Sequence, residues 1–67
     1  MGSDVDQMNK DASTIFDVIS TSDFDTFEEA SQAVTKLYVP DMSFSRSGIS
    51  LALKKLKEYF MENKNGR

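Results

Sequence analysis

Apolar positions recur with helical period in three stretches of the chain, and polar clusters separate them. In the middle stretch Phe27, Ala30, Val34, Leu37 and Tyr38 follow at spacings of 3, 4, 3 and 1, drawing a single apolar stripe on a helix. Thr26-Phe27-Glu28-Glu29 has the S/T-x-x-E form of a capping box, in which the Thr26 hydroxyl accepts from an otherwise unpaired N–H. Asp25, Glu28 and Glu29 place negative charge at the positive end of the helix dipole, and Lys36 sits in the last turn. Pro40 stops the helix and is expected to push Val39 toward an extended conformation.

The third stretch, a helix over 47–62, carries Ile49, Ala52, Leu53, Leu56, Tyr59 and Phe60 within an arc of roughly 120°. Leu51 and Met61 fall outside that arc, and Lys54, Lys55 and Lys57 occupy its flanks and back. Ser45 or Ser47 can cap this helix, with Gly48 in its first turn. The first stretch is short, about residues 12–20, with Ile15, Phe16 and Ile19 on one side. Asp11 or Ser13 is its candidate cap, and Thr21-Ser22-Asp23 ends it in a polar turn.

Residues 1–11 read as a disordered N-terminal segment that includes an expression remnant, Met1-Gly2-Ser3. Residues 63–67 read as a disordered tail. The expected architecture is therefore all-α, a single small helical domain over 12–62 with a short helix followed by a two-helix antiparallel hairpin. For a chain of 67 residues with no Cys, the burial available to such stripes falls short of the entropy of ordering them. Completion by homodimerisation is expected on that ground. Phe27, Val34, Leu37, Ile49, Leu53, Leu56 and Phe60 would hold the interface, with Leu51 and Met61 as a second surface.

Composition narrows the chemistry further. With neither His nor Cys, the chain lacks the commonest general base, thiolate chemistry and the usual zinc ligands. The pairs Asp23/Asp25 and Glu28/Glu29 lie beside a helix start, where carboxylates belong for dipole reasons rather than for acid–base catalysis. Asp4-x-Asp6 and Asp23-x-Asp25 lack the Gly and Glu that complete a calcium loop. The expectation is a non-enzymatic protein without cofactor or metal. No apolar run long enough to span a membrane and no secretory signal is present, so a cytoplasmic location is expected.

Charge is unevenly distributed. Residues 1–36 hold two basic and eight acidic side chains, a net of −6, whereas 37–67 hold six basic and three acidic, a net of +3. The basic half offers Arg46, Lys54, Lys55 and Lys57 as a charged face for a partner protein or for nucleic acid. In a helix-turn-helix reading, Arg46, Ser47 and Ser50 would meet base edges from the helix over 47–62. The long link between the second and third helices and the overall charge of −3 both argue against DNA. A further alternative is a fragment of a larger sensory domain, opened by Ile15-Phe16-x-Val18-Ile19, in which Gly48 to Leu53 would be a strand.

Ala33-Val34-Thr35-Lys36-Leu37, then Phe44-Ser45-Arg46, then Ile49 and Leu53 with Glu58 closing the stretch, resembles the enterobacterial biofilm-development connector proteins (the YmgB/AriR group). The acidic entry Phe27-Glu28-Glu29 is similar in kind, and the likeness runs from about residue 28 to 58. The chain differs from that pattern where Val39-Pro40-Asp41 stands in place of a Gly-containing turn. The resemblance implies an all-helical homodimer that regulates stress or biofilm signalling rather than catalysing a reaction. The leading expectation is thus a small regulatory adaptor that contacts itself and an unidentified protein. DNA binding is the second reading.

Overall fold

The computed structural model describes residues 3–63, with side chains for 4–62, and shows three helices: α1 (Ser3–Thr21), α2 (Phe27–Tyr38) and α3 (Arg46–Asn63). No strand occurs among the described residues, and Gly48 to Leu53, the stretch a sensory-domain fragment would make a strand, is helical. Of the segments expected to be an expression remnant (1–3) and a disordered tail (63–67), Ser3 and Asn63 are helical, and residues 1–2 and 64–67 lie outside the described residues.

α1 corrects the sequence reading most. It is 19 residues long and takes in residues 4–11, which were expected to be disordered. The reason lies in spacing: counted backward from Ile15, the stripe continues through Ala12, Met8 and Val5 at intervals of 3, 4 and 3. Asp4 and Asp6 in the first turn favour the dipole there. At the other end, the Ser20, Thr21 and Ser22 hydroxyls donate to the carbonyls of Asp17 or Val18. The Val18 carbonyl also accepts from Ser22 N–H at 3.1 Å, so these hydroxyls add second bonds to carbonyls near the end of the helix. Asp23 then turns the chain at φ 60°, a left-handed conformation that Asp tolerates better than most side chains.

α2 begins as the capping box requires, with the Glu29 N–H donating to Thr26 Oγ1 at 3.2 Å. Its end differs from expectation. Val39 stays helical (φ −62°, ψ −43°) because its N–H still donates to the Thr35 carbonyl, so the helical turn closes before Pro40 takes effect. The link to α3 is a wound series of turns. Asp41 N–H donates to the Tyr38 carbonyl, Phe44 N–H to the Asp41 carbonyl, and Ser43 N–H to Asp41 Oδ1.

Phe27 near the start of α2 meets Phe60 near the end of α3, so these two helices form the expected antiparallel hairpin. α1 runs in the same sense as α3: Asp11 meets the first turn of α3, and Phe16 packs edge-on against Tyr59 farther along. Most contacts between helices are made by this α1–α3 pair. The buried core draws on all three helices: Ala12, Ile15 and Ile19; Ala30 and Val34; Ile49, Ala52, Leu56 and Phe60. α1 thus covers the stripes of α2 and α3, and the side chains that do so, Ala12, Ile15 and Ile19, lie within the expected span 12–20. Val34, Ile49, Leu56 and Phe60, expected at an interface between copies, are interior residues of the single chain.

Candidate functional site

The only buried charged side chain among the described residues is Asp11, 5% exposed. It does not cap α1, as its position in the sequence suggested, but sits within that helix and serves the N-terminus of α3. Ser45 is the N-cap of α3, where its carbonyl accepts from Ile49 N–H at 3.0 Å and its Oγ from Gly48 N–H at 3.1 Å. In turn the Ser45 N–H and Oγ–H donate to Asp11 Oδ2 at 2.9 and 3.0 Å, and Gln7 Nε2 donates to Oδ1 at 2.8 Å.

This is the logic of a capping box completed from another helix. A glutamate three residues after the cap would ordinarily reach back to the cap N–H. Here that position is Gly48, and Asp11 supplies the carboxylate instead. Glycine is needed because a Cβ at 48 would lie 2.6 Å from Asp11 Cβ and 3.2 Å from the Met8 carbonyl oxygen. The Ser45 N–H bond holds the Asp11 carboxyl below its ordinary range, outweighing burial, which pushes it up. No buried side-chain polar atom of this cluster lacks a hydrogen-bond partner, which marks it as a structural joint.

The face beside the joint is different in kind. Val39 and Phe44 from the linker and Arg46, Ile49, Ser50 and Leu53 from α3 enclose a recess of about 220 Å³ that opens to solvent. Phe44 is fixed there by edge-on packing against Tyr38, ring centroids 4.7 Å apart. Large apolar side chains stand exposed in the same part of the chain: Leu37 at 58%, Val39 at 48% and Met42 at 96%. Leu37 continues the α2 stripe of Ala30 and Val34, but past the point where α3 covers it.

Of the residues expected to form an interface, Leu53 lines the recess, and Leu37 and Met61 are exposed. Phe27 and Leu51 are half-buried against the core, with Leu51 on the other flank of α3 from Leu53. Of the expected charged face, Arg46 lines the recess, and Lys54 and Lys57 follow Ser50 and Leu53 by four residues on the same side of α3. Lys55 points to the opposite side. No ion pair joins Arg46, Lys54 or Lys57 to a carboxylate among the described residues. Val39 and Phe44 went unassigned in the sequence because a linker has no period. The signal open to reading was the run of bulky apolar residues Leu37, Val39, Met42 and Phe44 around Pro40.

The described residues hold no cluster of acidic side chains arranged for a metal ion, and none of their helices is long and apolar enough to cross a membrane. Compared with known protein families, with curated proteins and with solved structures, the chain finds no match.

Proposed function

We propose that this chain is a non-enzymatic regulatory adaptor that works by protein–protein contact through the recess between the α2–α3 linker and α3. The supporting observation is the coincidence, along the linker and the adjoining flank of α3, of an apolar recess, exposed Val39 and Met42, and basic side chains without an ion-pair partner among the described residues. Interfaces of this kind combine a small apolar centre with a charged edge. The resemblance of residues 28–58 to the biofilm-development connector proteins supports a place in bacterial stress or biofilm signalling.

A homodimer is the second reading, favoured by the exposure of Leu37 at the end of an otherwise buried stripe. A second copy would have to use Leu37, Val39 and Met42, because Val34, Ile49, Leu56 and Phe60 face inward. DNA contact by α3 has less support. Phosphate is drawn to a helix N-terminus, and that of α3 already receives the Asp11 carboxylate.

A photoreactive phenylalanine analogue at Met42, in cells that make the protein, tests the proposal. A discrete cross-linked species should form, weaken when Val39→Asp is added, and be absent when the same group replaces exposed Ser13 on α1. Its mass separates a second copy from a different protein. Equal labelling from positions 42 and 13, or none from either, would overturn the reading.

A further inference from the structure

We infer that the occupant of the linker–α3 recess is an acidic amphipathic segment of another protein, one that inserts a bulky aliphatic or aromatic side chain and sets Asp or Glu against Arg46, Lys54 and Lys57. This inference rests on the proposal that the recess is a contact surface and adds the chemistry of what it contacts.

Three observations narrow the occupant. The recess is lined by Val39, Phe44, Ile49 and Leu53, so its floor favours an apolar group and offers a phosphate or sugar little. Its α3 edge is cationic. Arg46 lines it directly, Lys54 and Lys57 extend it by a turn, and none of them is paired among the described residues. The carboxylate nearest Arg46 in sequence, Asp41, already accepts from Ser43 N–H, and Glu58, four residues after Lys54, makes no ion pair with it among the described residues. Over residues 37–62 the chain holds Arg46, Lys54, Lys55 and Lys57 against Asp41, Glu58 and Glu62, a net of +1, whereas 1–36 nets −6. Attraction for an acidic ligand is therefore local to the edge formed by Arg46, Lys54 and Lys57.

Size favours a short segment over a second copy. A stable dimer buries about 1,200–2,000 Å² in total. The exposed apolar residues near the recess, Leu37, Val39 and Met42, together with one cavity of about 220 Å³, suit a ligand with one or two anchoring side chains.

The test uses the full chain, isotopically labelled for NMR, and short synthetic helical peptides. The first probe carries Leu and Phe at helical spacing flanked by Glu. A second has Lys for each Glu, and a third keeps Glu with Ser for Leu and Phe. The first should shift the signals of Val39, Phe44, Ile49 and Leu53, while the second and third bind at least about tenfold more weakly. Arg46→Glu combined with Lys57→Glu, both surface changes checked for retained helix by circular dichroism, should weaken the first probe by about tenfold and allow the Lys probe to bind. Added salt should weaken the first probe as well.

Equal binding of the acidic and basic probes would overturn the acidic assignment, even with the Met42 cross-link intact. So would shifts of these signals on raising protein concentration alone, which identify a second copy, or stronger shifts with duplex DNA. Loss of the Met42 cross-link would remove the contact surface itself, whatever the peptides do.

Discussion

Between α1 and α3 the helices meet along much of their length, with Ala12 and Ala52 fully buried and Ile15, Ile19 and Leu56 beside them. A buried, fully bonded carboxylate fixes one register, because Asp11 reaches the Ser45 cap only where Gly48 leaves room. α2 is held in another manner. It contributes Ala30 and Val34 to the core and otherwise leans on rings, Phe27 on Phe60 and Tyr38 on Phe44. Its last turn ends in exposed Leu37 and Val39. The contrast separates a jointed scaffold from a lightly attached flank, and the apolar recess lies on the flank. Binding surfaces are commonly drawn from the less stable parts of a fold, where adjustment to a ligand disturbs little else.

The contrast is broken most severely inside the scaffold. Leu56→Ala, which empties a fully buried position, should destabilise by about 2–5 kcal/mol in denaturant unfolding. In a domain of this size such a loss approaches the whole stability. Gly48→Ala comes next. Alanine gains about 1 kcal/mol of helix propensity over glycine, but its Cβ collides with Asp11 Cβ and the Met8 carbonyl, so the net effect should be a loss of about 1–3 kcal/mol. A stabilised Gly48→Ala protein would show that α1 does not lie where the joint places it.

Asp11→Asn sharpens the same point through charge. It removes charge-assisted bonds at a buried site and should lower stability near neutral pH by about 1–2 kcal/mol. Because the Asp11 carboxyl is held below its ordinary value of 3.8, its contribution is complete above that value. It fades as pH falls through the lower folded-state value. The gap between Asp11→Asn and the parent chain should therefore narrow as pH drops below about 3.8, measured by thermal unfolding across that range. Leu37→Ser, on the flank, should change stability by less than about 0.5 kcal/mol, since its side chain is mostly in water.

Much of this architecture is legible in the residues, and the rest follows a physical boundary. Thr26 and Pro40 bracket α2, Ser45 is one of the two caps expected for α3, and the all-helical class follows from the period of the stripes. The true start of α1 was also legible, through Val5 and Met8, but those residues are widely spaced among polar ones and carry the pattern only when read back from Ile15. Asp11 and Gly48 were not legible in their actual roles. A carboxylate that caps a helix 34 residues away leaves no local mark, and local reasoning assigns it to the nearer helix. The homodimer expectation rested on uncovered stripes; Ala12, Ile15 and Ile19 cover much of them within one chain, which narrows the surface left for a second copy to exposed residues such as Leu37, Val39 and Met42. The recess escaped notice because it is built from a linker and one flank of a helix, where no single periodicity runs.

Native-state hydrogen exchange in dilute solution tests the central claim, that the α1–α3 pair with its Asp11–Ser45 joint is the stable part and α2 the lightly held flank. The slowest amides should fall in residues 12–20 and 49–60, those of α2 should open at lower free energy, and the Ser45 and Gly48 amides should lose protection in Asp11→Asn. Uniform protection across all three helices, or slowest exchange in α2 with Ser45 indifferent to Asp11, would contradict the account.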